Sequence, residues 1–268
     1  MLARVGIFDS GVGGLTVAAA LHRHQPSLEI RYVADTAFFP YGGREPEEIA
    51  ERSIAVVATL VEAGMNAIVV ACNTATSAAL ERLREVFDLP IVGMEPPLKP
   101  AVEHSRSGAV VVLATPGTVR GERLARLQER HAGGARVWNI PMPGLADLVE
   151  AGEIEGPRVE GMLREALAGP VAEGADAVAL GCTHYGWLRP LMERILPPGV
   201  EVVDAAEAVA RRTLYVLDQA GHHIDTGAPA REVLCYATGD AASLEQTVER
   251  LRAAGADLPP LRVARPVG

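Results

Sequence analysis

Two stretches of this chain, residues 63–74 and 173–184, repeat each other at an offset of 110. Gly64 aligns with Gly174, Asn66 with Asp176, Ala67 with Ala177 and Cys72 with Cys182. Each stretch reads as a helix end, a turn, an apolar run of strand length, and then a thiol followed by polar residues. A short, uninterrupted apolar run between helices is the pattern of a strand buried on both faces, which parallel sheets require. A chain carrying this unit twice is therefore held to α/β architecture. Each thiol then falls at the carboxyl edge of its strand, where open α/β sheets bind ligands.

The same alternation runs along the rest of the chain. Strands are predicted at 4–8, 30–34, 66–71, 90–92, 109–113, 136–139, 176–181, 201–203 and 232–237, with helices between them. One helix spans about 14–24, another is marked by Ile49, Val56, Val57 and Leu60, and a third covers 78–87. Residues 4–11 parallel 110–117 at an offset of 106, a second echo of duplication. The proline-rich segment 94–100 is the natural crossover between halves. The expectation is two similar α/β domains with mainly parallel sheets, related by a pseudo-twofold, with the active site between them. The first would comprise 1–96 plus 207–268 and the second 97–206.

Composition narrows the chemistry. The net charge of −9 argues against nucleic acid and anionic membranes as partners. Three cysteines cannot pair completely, no leader pattern opens the chain, and no apolar run approaches a bilayer span, so a cytoplasmic protein is expected. The single lysine, Lys99, lies among prolines, which disfavours pyridoxal phosphate.

Cys72 and Cys182 both stand where a strand gives way to a helix, a setting expected to favour thiolate. Facing each other, they could present one thiol to each side of a small molecule, which suits moving a proton across a carbon. Cys235, inside a strand-like run, reads as a packed hydrophobe. His184, two residues after Cys182, could share or tune that thiol's proton. Asp9 precedes a glycine-rich loop, Ser10 to Thr16, that lacks the third glycine of a dinucleotide fingerprint and the lysine of a P-loop. What remains is a loop offering N–H groups and hydroxyls to a small anion, and Thr115 to Thr118 could do the same from the other half. Cys72, Cys182 and His184 could alternatively ligate a catalytic zinc, although no Cys-x-x-Cys or His-x-x-x-His spacing supports it. A small-anion binding module is a further alternative.

Read together, residues 7–17, 35–42, 71–76, 90–96, 114–118, 148–150, 181–185 and 237–240 resemble glutamate racemase, of the cofactor-independent aspartate/glutamate racemase superfamily. The match runs in order over nearly the whole chain. It implies interconversion of L- and D-glutamate for peptidoglycan synthesis without metal or other cofactor, in a homodimer. By the same resemblance Cys72 handles the proton of D-glutamate and Cys182 that of L-glutamate. Asp9 assists Cys72, while His184 and Glu150 assist on the other side. Substrate is held by Asp9, Ser10, Tyr41, Gly42, Asn73, Thr74, Thr76, Thr115, Thr118, Thr183 and His184. A related racemase of aspartate or another 2-substituted acid is the nearest alternative. Phe38, Pro97 and the Gly186–Trp187 pair depart from the family pattern, which bears on oligomer contacts or regulation.

Overall fold

The computed structural model describes residues 1–264. The chain opens with strand β1 (Arg4–Asp9), helix α1 (Leu15–His24), β2 (Glu29–Ala34), a 3-10 turn at Tyr41–Gly43, α2 (Pro46–Glu62), β3 (Ala67–Val70), α3 (Asn73–Val86) and β4 (Ile91–Gly93). Helix α4 (Leu98–His104) leads into β5 (Ala109–Ala114), α5 (Pro116–Arg120), α6 (Glu122–His131), β6 (Arg136–Pro141), α7 (Leu145–Glu150) and α8 (Pro157–Ala172). Then come β7 (Ala177–Gly181), a 3-10 helix at Thr183–Leu188, α9 (Arg189–Ile195) and β8 (Glu201–Val203). The remainder is α10 (Ala206–Gln219), β9 (Val233–Ala237), α11 (Ala241–Ala253) and β10 (Leu261–Val263).

The strands form two all-parallel sheets, ordered β10-β9-β2-β1-β3-β4 and β6-β5-β7-β8. The inner order β4-β3-β1-β2 of the first is reproduced as β8-β7-β5-β6 in the second. Cys72 and Cys182 follow β3 and β7, which hold the same place in their sheets. In each sheet the chain runs from the first strand to one side, then returns to the other. That reversal opens a crevice at the carboxyl ends of β1 and β3, and again at β5 and β7.

The last two strands pair into the first sheet, where the strand expected at 232–237 is β9; β10 lies outside the sequence reading, since three residues beside two prolines carry too little pattern. Residues 265–268, which the expected first domain includes, lie outside the described residues. The largest apolar cluster uses one face of each sheet, from Val5 and Ile7 to Val111 and Leu180, so the two halves share a continuous core. Smaller clusters cover the outer faces, around Phe8, Val56 and Ile68 in one half and Val110, Val112 and Leu124 in the other.

Helix α3 begins at Asn73 and not near residue 78. Asn, Thr and Ser are weak helix formers because their side chains compete for backbone partners. Here Cys72 caps the helix, its sulfur accepting the Ala75 N–H at 3.4 Å, and tertiary packing overrides local preference. Lys99 lies on α4, exposed and 3.8 Å from Glu103. Among the described residues no helix is long and apolar enough to cross a membrane.

Candidate active site

Strand β1 ends in Asp9, which is fully buried. Its carboxylate accepts the Gly11 N–H at 2.8 Å and the Thr183 hydroxyl at 2.9 Å, so one side chain ties the glycine loop to the opposite sheet. Tyr32 on β2 donates to the Gly11 carbonyl at 2.5 Å. A Cβ at position 11 would run into the Glu150 carboxylate, so a larger residue there displaces that side chain.

Cys72 is buried, and its Sγ lies 3.7 Å from the Ser10 hydroxyl, to which it donates. Burial pushes this thiol up to about 12, and the nearby Asp9 and Cys182 charges add to the rise against the Ala75 N–H. The expectation that the helix start would favour thiolate is therefore corrected for Cys72. One N–H contact is outweighed by loss of water and by a neighbouring carboxylate.

On the other side Cys182 precedes the 3-10 helix, and its sulfur lies 3.9 Å from His184 Nδ1. His184 Nε2 meets Glu150 Oε2 at 2.9 Å, and the same oxygen accepts the Val12 N–H at 2.9 Å. Glu150, from the end of α7, thus joins His184 to the glycine loop across the interface. Phe39 lies against the imidazole, ring centroids 5.6 Å apart. Burial disfavours the charged ring, yet its contacts with Cys182 and Glu150 and the nearby Asp9 charge outweigh this and hold its pKa well above the ordinary 6.5. Burial also raises Asp9, opposed by His184, Gly11 and Thr183.

The sign of this linkage can be tested. A histidine raised on folding stabilises the native state fully below about pH 6.5, and that contribution is lost as pH rises through the folded value. As pH rises above about 6.5, the wild-type Tm should fall more steeply than that of Glu150→Gln, which lacks the carboxylate partner. Parallel Tm profiles for the two proteins would refute the coupling.

Both thiols line one narrow cavity, together with Ser10, Phe39, Pro40, Tyr41, Gly42, Asn73, Thr74, Thr115, Ala146, Thr183 and His184. Three pairs of residues here open helical turns: Tyr41 and Gly42, Asn73 and Thr74, Thr183 and His184. The first N–H groups of a helical turn have no acceptor within it, which makes such starts suited to carboxylates. Tyr41 spends its hydroxyl on Asp35 at 2.6 Å, so it offers backbone and ring edge to the cavity. Thr74 meets Thr115 at 2.9 Å and Thr118 at 3.3 Å, hydroxyls of the two halves touching across the cleft. Asn73 donates to the Met94 carbonyl at 3.4 Å, and its buried Oδ1 has no partner among the described residues.

Four of the expected site residues stand behind the lining. Asp9, Glu150 and Thr118 support residues that face the cavity. The Thr76 hydroxyl donates to Val70 O at 3.1 Å and accepts Met94 N–H at 3.0 Å, fastening β4 to α3. Phe39, Pro40 and Ala146 line the cavity without having been singled out. The first two lie inside the 35–42 motif, whereas alanine carries no chemical signal. Cys235 is a packed core residue, 1% exposed. Among the described residues, no group of three His, Cys, Asp or Glu side chains is placed to hold a metal ion, so the three candidate zinc ligands do not form such a cluster.

Residues 15–213 match the Asp/Glu/hydantoin racemase family. A glutamate racemase of Ectopseudomonas mendocina is 43% identical over 239 residues, covering 89% of this chain and 90% of that protein. One from Deinococcus radiodurans is 44% identical over 256 residues, covering 94% and 88%. The crystal structure of Escherichia coli glutamate racemase with L-glutamate and an activator superposes with a TM-score of 0.84 at 31% identity, covering 99% of this chain and 98% of that one. With thiols on equivalent strands of paired sheets and this likeness along nearly its full length, the chain belongs to the Asp/Glu/hydantoin racemase family and, within it, to the glutamate racemases.

Proposed function

We propose that the cavity binds glutamate and inverts it at Cα by two-thiol proton transfer, supplying D-glutamate for peptidoglycan. The observation that carries this reading is the pair of thiols, delivered by equivalent strands of two sheets to a single cavity. Cys182 takes the Cα proton of L-glutamate, and Cys72 delivers a proton to the opposite face; the D-to-L direction reverses these roles. A Cys72 thiol raised to about 12 enters as the acid, as L-to-D turnover requires. The charged His184 lies beside Cys182 and counters negative charge that develops on substrate. Asp9 and Glu150 hold the glycine loop at Gly11 and Val12, together with Thr183 and His184, through the contacts already described. The substrate carboxylates take the N–H groups at 41–42, 73–74 and 183–184, with the hydroxyls of Ser10, Thr74 and Thr115. The unpartnered Asn73 Oδ1 receives the ammonium. Closure of the two halves shelters the carbanion-like state from water, and the Thr74–Thr115 contact marks where they meet. Thr118 sets the hydroxyl orientation of Thr74, and Thr76 sets the start of α3.

The two halves are proposed as the lobes 1–96 plus 207–268 and 97–206, assembled as a homodimer in the cytoplasm. Three unpaired thiols support that compartment. Incubating L-glutamate with the purified protein in D2O, without added cofactor, should yield D-glutamate deuterated at Cα. Exchange into aspartate or another acid, with glutamate untouched, would overturn the substrate assignment.

A further inference from the structure

We propose that Asp35 is a positioning residue that sets the substrate-binding wall at residues 39–42 through Tyr41, and that Thr238 from the carboxyl-terminal segment completes its anchorage. The inference rests on the reading of the cavity as a glutamate site.

Asp35 immediately follows β2 and is fully buried. Its N–H donates to the Asp9 carbonyl at 2.9 Å, fixing it beside the loop that carries Ser10. Its carboxylate receives the Tyr41 hydroxyl at 2.6 Å, Arg52 Nε at 2.8 Å, Arg52 Nη2 at 2.5 Å and the Thr238 hydroxyl at 2.6 Å. The donors come from the 3-10 turn, from α2 and from the segment after β9. Burial would raise this carboxyl, but the Arg52, Thr238 and Tyr41 bonds hold it below the usual range. With both oxygens fully engaged, Asp35 has nothing to offer a ligand directly. Its effect must pass through what it holds.

What it holds is four consecutive lining residues on a segment that is regular only at Tyr41–Gly43. The segment is braced further by Phe38, whose ring lies 3.7 Å from the Arg44 guanidinium and 5.6 Å from that of Arg52. The wall has little freedom to drift without consequence. A Cβ on Gly42 would lie 3.2 Å from Thr115 Cβ, and one on Gly117 would lie 2.9 Å from Gly42 O. The strip bearing Tyr41 and Gly42 is thus where the first half touches α5 of the second. A small displacement of Tyr41 moves two backbone N–H groups and this contact together. Thr238 also accepts the Ala37 N–H at 3.2 Å, so the returning segment shapes the wall without lining the cavity.

The test is a double-mutant cycle with Asp35→Asn, Tyr41→Phe and the pair, read as kcat and KM for L-glutamate alongside Tm. Asp35→Asn should raise KM about tenfold or more while kcat changes by less than about threefold, because ground-state holding is lost and the thiols stay in place. Tyr41→Phe should reproduce most of the KM rise, and adding it to Asp35→Asn should cost little more. A role confined to stability would lower Tm and leave KM alone, which overturns the proposal, as does full additivity. Should Asp35→Asn not accumulate as folded protein, Tyr41→Phe and Thr238→Val decide: raised KM in both supports it, unchanged KM in either refutes it. A wild type inactive on glutamate would defeat the functional reading itself, whereas an active wild type with unaltered KM in these variants defeats only this inference.

Discussion

Replacing Cys182 by serine is expected to lower racemisation of L-glutamate by about 10²- to 10⁴-fold, the range for loss of a positioned acid or base. A serine hydroxyl keeps the volume of the site but is far too weak an acid to serve as a proton shuttle near neutral pH. The stereochemistry of what remains is more informative than the rate. In D2O, Cys182→Ser leaves Cys72 able to remove and return a proton on one face, so deuterium should enter D-glutamate without inversion. Cys72→Ser should do the reverse and label L-glutamate alone. Circular dichroism should be unchanged, because each thiol is one small side chain at a strand end. An undiminished racemisation rate in either variant, or label in both enantiomers, would falsify the two-face assignment.

Gly13→Ala is expected to reduce kcat/KM by about 10²-fold while leaving the fold intact, the loss that a misplacement near 1 Å can produce. A Cβ at this position would lie 2.5 Å from His184 Nδ1 and 2.6 Å from both the His184 N and the Thr183 Oγ1. None of these atoms is the far end of a flexible chain. The turn that follows Cys182 must therefore retreat from the glycine loop. That retreat strains the Thr183–Asp9 bond, the His184–Glu150 contact and the aim of Cys182 together. The φ of Gly13 is not positive, so alanine meets no backbone obstacle there and the effect is one of contact. Gly134→Ala, whose added Cβ has no neighbour within 4 Å, is the control and should leave kcat/KM unchanged. A near-normal rate for Gly13→Ala would show that the 183–184 turn can yield without moving the thiol.

Much of the architecture could be read from local pattern. The apolar runs that become β1, β3, β5 and β7 are wholly or almost wholly buried, and a strand buried on both faces announces itself by composition alone. The repeated unit ending at Cys72 and Cys182 marks both thiols as standing at the ends of equivalent strands. Helix α3 was harder, because Asn73, Thr74 and Thr76 resemble a loop until the partners of their side chains are known. The acidity of Cys72 escapes a local reading for a related reason. A helix start is visible in sequence, but burial and the closeness of Asp9 are not.

Asp35 shows the limit most plainly. In sequence it is an aspartate at a strand end, indistinguishable from a turn residue. Only in three dimensions does it gather Tyr41, Arg52 and Thr238, the last from 203 positions away. Glu150 likewise reaches Val12 across 138 positions and His184 across 34.

Sequence by itself determined two parallel sheets, their paired strand ends and the chemical character of the residues there, because the apolar runs and turn residues that mark such strands are short-range patterns along a chain. Tertiary structure alone decided that both thiols border one cavity, that Thr76 is spent on β4, and which carboxylates stand behind the lining. Those outcomes depend on how two halves pack through a shared core, and packing of that kind joins residues whose separation along the chain carries no local signal.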